Sequence, residues 1–215
     1  MTTPSVWAVV VARTGPTAKS RLAPVLDVHQ RERLAEAMLA DVVSACVSAG
    51  LAGPVVVTDA PAARERFASR GFPSPADAGT DMNGAARAGI AAAAAAGAGA
   101  VPLASPADLI TLTSWASRGA TVVGVAADRS GRGTNALLLR PPGAIRPGFG
   151  PHSAERHRAL ARRAGATVVV DRPPTLAFDV DTPADLTLLR RLRPGGETGA
   201  LLEFLATAGA GAPGA

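Results

Sequence analysis

The chain opens on an unbroken apolar run, Val6-Trp7-Ala8-Val9-Val10-Val11-Ala12, of the kind a strand buried on both faces requires. It breaks into a loop that carries Gly15, Pro16 and the cations Arg13, Lys19 and Arg21. Open α/β sheets bind ligands beyond the carboxyl ends of their strands. A buried strand feeding a basic loop is therefore a candidate anion site, with a solvated basic loop as the plain alternative. From Gln30 to Ala49, Leu34, Met38, Val42 and Cys46 recur at helical spacing; Asp27 stands where a cap belongs and Gly50 where the helix can stop. Pro54 to Asp59 predicts a second buried strand, and Pro61 to Arg70 a short helix closed by Gly71. Phe72 to Thr80 reads as loop. Asp81 is placed to cap a helix from Met82 through the alanine run to Ala96. A third strand is expected at Ala100 to Ala104, where Pro102 favours a strand end or an edge.

Further on, the pattern predicts a short helix at Leu112 to Arg118 and strands at Ala120 to Ala127 and Ala136 to Arg140, joined by the glycine-rich Asp128 to Asn135. After an irregular stretch come a cation-rich helix at His152 to Ala164, strands at Ala166 to Val170 and Leu176 to Asp179, and a helix at Pro183 to Leu192. Strands alternating with helices argue for an α/β fold, a mostly parallel sheet with helices on both faces; the hairpin-like later strands add an antiparallel piece. One domain is expected over residues 1–192, with an extension at 193–215 that holds a short apolar helix, Leu201 to Leu205, and a Gly-, Ala- and Pro-rich tail expected to be disordered.

Composition narrows the function classes. The 215 residues are 47% apolar, enough for a sizeable core, but only 3% aromatic with no Tyr, so Val, Leu, Ile and Ala must fill it. The Ala, Gly, Pro and Arg bias matches a GC-rich genome. A formal charge of +5 suits a phosphate-rich ligand, while the absence of an aromatic-interleaved basic patch argues against nucleic acid. Cys46 is the only cysteine and lies among valines, so it reads as core, and neither a disulfide framework nor a cysteine zinc site is possible. No apolar run approaches the roughly 18 residues of a membrane span, and the start lacks a signal-peptide pattern; a cytoplasmic protein with no membrane partner is the expectation.

Asp179-Val180-Asp181-Thr182-Pro183 carries the densest chemistry. Two acids two apart on an extended segment point the same way and repel unless a cation joins them. Such hard oxygen ligands suit Mg²⁺, which keeps waters and is completed by phosphates. Helix capping by Asp181 or Thr182 with Pro183 behind it is the plain alternative, and it leaves Asp179 unexplained. Asp108 follows a strand end but equally fits a Ser105-initiated turn before a helix. Arg13, Lys19 and Arg21 suit a triphosphate. Gly131, Gly133 and Thr134 form a loop where backbone can approach a ligand beside a ready hydroxyl. Phe149-Gly150-Pro151-His152-Ser153 leads into a helix N-terminus, which favours anions. His152 and His157 lack a third partner at metal spacing and read as solvated or phosphate-adjacent.

Taken together, Ala18 to Pro24, Asp81-Met82-Asn83, Pro106 to Leu109, Gly133 to Leu137, Phe149 to Ser153 and Asp179 to Pro183 resemble, in order, the CofC/FbiD family of 2-phospholactate and phosphoenolpyruvate guanylyltransferases of coenzyme F-420 biosynthesis. The resemblance spans about residues 6 to 190. It implies a single-domain, Rossmann-like nucleotidyltransferase of glycosyltransferase-A type. Such an enzyme joins GMP from GTP to the phosphate of a three-carbon acid and releases pyrophosphate. By motif match, Asp108, Asp179 and Asp181 would hold Mg²⁺; Thr134, Gly150 and Ser153 would contact the acid. Arg13, Lys19 and Arg21 would hold the GTP phosphates, with Lys19 and Arg21 as the catalytic cations, and Asn83 would lie by the nucleotide. Arg13 stands where the family often has Lys, and Asp108-Leu109-Ile110 where it usually has Asp-Leu-Pro. The GC-rich bias is that of actinobacterial sequences, for which the resemblance points to phosphoenolpyruvate over 2-phospholactate or 3-phosphoglycerate. A nucleotidyltransferase for a molybdopterin or sugar phosphate, a sugar transferase using the Asp-x-Asp pair, and a non-catalytic nucleotide-binding domain are the competing readings. The oligomeric state is left open, a dimer through the apolar C-terminal helix included.

Overall fold

In a computed structural model of the chain, residues 6–76, 81–94, 98–100 and 105–210 are described. The first apolar run is strand β1 (Trp7–Ala12), and helix α1 (Val28–Ser48) follows with Asp27 and Gln30 forming a reciprocal capping box. Then come β2 (Ala52–Thr58), α2 (Pro61–Ser69), α3 (Met82–Ala94) and β3 (Ala98–Ala100). Asp81 caps α3 as expected, its Oδ1 accepting from the Gly84 N–H at 2.7 Å. Residues 101–104 of the expected third strand lie outside the described residues.

Helix α4 (Pro106–Ser114) starts earlier than the spacing predicts, because the Ser105 side chain accepts from the Asp108 N–H and Pro106 fits the first turn; a 3-10 turn at Trp115–Arg118 completes it. Strands β4 (Val122–Ala127) and β5 (Thr134–Arg140) form the antiparallel hairpin. Helix α5 (Ser153–Arg163), strand β6 (Thr167–Asp171), α6 (Pro183–Leu192) and α7 (Gly196–Ala210) finish the chain. The expected strand at Leu176 to Asp179 is a turn instead. Pro173 and Pro174 cannot donate to a ladder; the Ala177 N–H bonds back to Pro173 O at 2.9 Å, and Thr175 is held by Asp108. The apolar C-terminal helix is longer than Leu201 to Leu205 and lies on α1, with Leu201 and Leu202 buried.

The sheet order is β2-β1-β3-β5-β4-β6. Pairs β1/β2, β1/β3 and β4/β6 are parallel, while β5 runs antiparallel to both its neighbours. The carboxyl ends of five strands and the amino end of β5 therefore share one edge. Side-chain alternation sorts the faces. Val10, Val56, Val122 and Leu138 meet α1, α2 and α4 through Leu39, Val43, Phe67 and Leu112. Val9, Val55 and Val57 meet α3 on the other face, and Val123, Val125 and Leu137 meet α5. Gly89 allows the close seating of α3, since a Cβ there would run into Val9 and Val57. Cys46 is core, and burial pushes its thiol up to about 12. No described helix is long and apolar enough to cross a membrane.

Candidate active site

The shared sheet edge collects the loop after β1, Asp59 after β2, the Asp128–Gly133 turn of the hairpin, the first residues of β5 and the segment leading to α6. The β1 loop is held in shape from two sides. Asp59 Oδ1 accepts from the N–H groups of Thr14 (2.8 Å) and Gly15 (3.2 Å), and the Thr14 and Thr58 hydroxyls bond at 2.7 Å. From α1, Arg31 donates to the carbonyls of Ala18, Leu26 and Pro16. Arg13 directly follows β1.

Two buried apolar residues bring cations and carboxylates together. Leu22, just past Lys19 and Arg21, and Val180, between Asp179 and Asp181, are fully buried in one cluster with Leu26, Leu34 and Leu186. Arg21 Nη2 donates to Asp181 Oδ2 at 2.7 Å, and Lys19 Nζ lies 3.6 Å from Asp181 Oδ1. Lys19 adopts a left-handed backbone (φ 49°). Asp179 is held above the usual carboxylate range, first by burial and then by the Asp181 and Asp128 charges, against the pull of Asn135 and Lys19. A half-buried carboxylate crowded by others of its sign calls for a cation.

Asp185 organises this segment from the first turn of α6. Its Oδ2 accepts from the N–H groups of Asp181 (3.2 Å) and Thr182 (2.9 Å) and from the Thr182 hydroxyl (2.7 Å), while Thr182 caps the helix in return. Its other oxygen pairs with Arg129, whose guanidinium lies over the Phe178 ring. Burial works to raise the Asp185 carboxyl, but the bonds from Thr182, Arg129 and the backbone hold it down to about 2.

Opposite lies an open cleft of about 290 Å³, lined by Asp128, Ser130, Arg132, Gly133, Gly150, Pro151 and His152. Asp128 shapes the hairpin turn by accepting from the Ser130 hydroxyl and the Arg132 N–H, and a Cβ at Gly133 would sit 2.6 Å from Asp128 Oδ2. Across the cleft the Gly148–Pro151 loop is gripped three ways. Arg156 donates to Gly148 O (2.7 Å) and Pro151 O (3.0 Å), His157 Nε2 accepts from the Gly148 N–H (2.9 Å), and Asn83 pairs with Phe149 through both ends of its amide. Asn83, expected beside the nucleotide, also clamps this loop. Ser153 is buried, and the first amides of α5 are engaged: Ser153 N–H by Gly150 O and Ala154 N–H by Arg132 O. The anion preference expected of that helix end is correspondingly reduced.

The structure brings Asp179 and Asp181 together. It does not assemble Asp108 with them into a ready-made cluster: among the described residues no three His, Cys, Asp or Glu side chains are arranged to hold a metal. Asp108 Oδ2 instead accepts from the N–H and hydroxyl of Thr175, both at 2.7 Å. Two carboxylates with room for waters and phosphate oxygens fit Mg²⁺, which needs no all-protein cage. A further residue escapes the sequence reading. The β4/β5 register slips so that Ala126 faces Ala136 and Ala127 faces Thr134, leaving Asn135 as a bulge. Its Nδ2 is buried near Asp179 without a hydrogen bond of normal geometry. A larger groove of about 390 Å³ between α1, α2 and α7 carries none of this chemistry, its Arg66 being paired with Glu36 and Glu197.

A mixed sheet of this order, with a pinned cationic first loop set against paired carboxylates, is the frame of a Rossmann-like nucleotidyltransferase. A solved nucleotidyl transferase from Methanothermobacter thermautotroptrophicus shares the fold, with a TM-score of 0.65 at 18% identity, covering 88% of this chain and 98% of that one. Residues 8–205 match the family described as guanylyl transferase CofC like, and the chain belongs to that family. Curated relatives named phosphoenolpyruvate guanylyltransferase include one from Conexibacter woesei, 38% identical over 87% of this chain and 88% of its own length. Another, from Rubrobacter xylanophilus, is 41% identical over 86% and 93%.

Proposed function

We propose that this chain transfers GMP from GTP to the phosphate of a three-carbon acid, phosphoenolpyruvate, and releases pyrophosphate, in the coenzyme F-420 pathway that its family implies and in the cytoplasm. The observation that carries the reading is Asp181, bracketed by Lys19 and Arg21 beside Asp179 at the ligand-binding edge of the sheet. An oxygen of the acceptor phosphate bonds to the α-phosphorus of GTP, and the bond from that phosphorus to the β-phosphate oxygen breaks. A phosphate oxygen is already nucleophilic, so the chain needs no general base. Its task is to align two anions and offset their charge. Arg13, Lys19 and Arg21 bind the triphosphate, Lys19 and Arg21 facing the departing pyrophosphate. Asp179 and Asp181 hold Mg²⁺, which supplies charge neutralisation at the phosphates; Asp108 braces Thr175 behind them. Thr134, Gly150 and Ser153 line the side that takes the acid, with Asn83 fixing its loop.

The ion pairs on Asp181 are exposed enough to exchange. The Arg21 side chain is 70% exposed, and such surface pairs are worth about 1 kcal/mol or less, so a triphosphate can draw both cations away while the carboxylates turn to the metal. Incubation with GTP and Mg²⁺ plus phosphoenolpyruvate, 2-phospholactate or 3-phosphoglycerate in turn tests the assignment. Pyrophosphate is expected with phosphoenolpyruvate. Release with another acid alone replaces the substrate, and release with none overturns the reading.

A further inference from the structure

The deepest polar residue near the cleft is His157, fully buried on α5. Its two ring nitrogens have distinct partners. Nε2 faces the Gly148 N–H at 2.9 Å, and Nδ1 faces the Thr134 hydroxyl at 3.0 Å. A backbone N–H can only donate, so Nε2 must accept. A neutral imidazole then carries its proton on Nδ1 and donates it to Thr134 Oγ1. Burial and the nearby Arg156 charge keep the ring neutral, holding it down to about 4, and Phe149 packs edge-on against it at 5.2 Å. Once the Thr134 oxygen accepts from His157, its own proton must go elsewhere. The hydroxyl makes no second hydrogen bond among the described residues. Thr134 is only 9% exposed, and a buried donor left unmatched is costly. Asn135, its neighbour in the bulge, has the Asp179 carboxylate beside it; the Thr134 proton has no acceptor among the described residues and calls for one from outside the chain.

We propose that His157 is a positioning residue of the acid pocket: it fixes the Thr134 hydroxyl as a donor to an anionic oxygen of the bound three-carbon acid. The inference rests on the guanylyltransferase reading for the identity of that acid, and on the geometry alone for the direction of the proton. His157 also ties the Gly148 loop to β5, so one ring sets both walls of the cleft. The carboxylate or phosphate of the acid, which can only accept, matches a hydroxyl so oriented; a ligand group that can only donate does not.

The test separates the two roles of the ring. His157→Gln can still accept from Gly148 but lacks the donor to Thr134, whereas His157→Asn keeps a donor near the Nδ1 position. His157→Gln and Thr134→Val are each expected to raise KM for the acid about tenfold, the worth of one hydrogen bond to a charged group, with KM for GTP little changed. His157→Asn recovers most of that loss. In the double variant Thr134→Val/His157→Gln the acid KM matches that of Thr134→Val alone, because His157 acts through Thr134. Equal losses in both His157 variants, additive effects, or matching rises in both KM values overturn the proposal. Two-bond proton–nitrogen NMR of the unliganded wild type reads the tautomer directly and also decides the matter if a variant fails to fold: a proton on Nε2 refutes the relay. This readout stands apart from catalysis. Wild-type protein that is Nδ1-protonated yet releases no pyrophosphate would instead count against the guanylyltransferase reading.

Discussion

At the scale of single residues, Lys19 has a position no Arg duplicates: it is the only lysine in the chain. It sits at a left-handed turn, partly buried, 3.6 Å from Asp181 and near enough to Asp179 to lower that group's proton affinity. If it changes partner from Asp181 to the triphosphate, its ammonium must feel GTP directly. Reductive methylation with ¹³C-formaldehyde labels it together with only the α-amine. Its methyl resonance is expected to shift on addition of GTP and Mg²⁺, and an unmoved resonance in protein that still binds GTP would remove Lys19 from the phosphate site. Asn135 and Asp128 bear on the same centre from less visible positions. Nothing in the run Gly133-Thr134-Asn135-Ala136 marks the bulge that aims Asn135, because a bulge is defined by its partner strand. Asp128 opens the glycine-rich connection between two strands, and only the folded turn brings its charge to bear on Asp179.

At the scale of elements, α6 was the most legible piece and its N-terminus the most instructive. Thr182-Pro183 announces the helix start by cap and fixed φ alone, and the observed helix runs Pro183–Leu192 as expected. What the local pattern hides is that Asp185, a routine capping-box residue, also grips the Asp181 N–H and pairs with Arg129, a residue 56 positions away. Leu176 to Asp179 misled for a related reason: its apolar character reads as strand, but Asp108 and two prolines wind it into a turn. Asp179 and Asp181 still face alike, because Val180 between them is drawn into the core. Asp185→Asn therefore tests an element-level role. Weakening the Arg129 pair and the cap is expected to cost about 1–2 kcal/mol of stability by urea unfolding. By loosening Asp181, it should also raise the Mg²⁺ concentration for half-maximal turnover about tenfold or more, as loss of an outer-shell partner does. A stability loss with unchanged Mg²⁺ dependence would confine Asp185 to capping.

For the whole molecule, the topology does what no single motif can. Strand β5 runs against its neighbours, so the hairpin turn, the β1 loop and the α6 approach converge on one edge, and short motifs scattered over some 160 residues, as from Arg21 to Asp181, become one site. The same convergence places a neutral histidine in the interior, and this makes acid stability a global readout of the fold. His157 titrates near 6.5 in an unfolded chain and at about 4 when folded. Its folded-state pKa is depressed, so its contribution is fully present above pH 6.5 and is lost as pH falls towards 4, where the unfolded chain takes up the proton first. At about 1.4 kcal/mol per unit the loss reaches about 3 kcal/mol. The charged group acting on the ring is Arg156, on the same helix; Thr134, Gly148 and Phe149 approach from β5 and the loop without charge. Asp185, held at about 2 against an ordinary 3.8, adds a second, lower window between those values worth about 2 kcal/mol. Urea unfolding of wild type and His157→Gln from about pH 7.5 to about pH 2.5 separates the windows. The exposed His29 and His152 are common to both proteins, so the wild-type curve is expected to fall more steeply than the variant's between pH 6.5 and 4 and to run parallel to it below. Parallel curves across the upper window would mean that folded His157 takes up its proton as readily as the unfolded chain does, and a buried neutral ring accepting from Gly148 and donating to Thr134 would then be wrong.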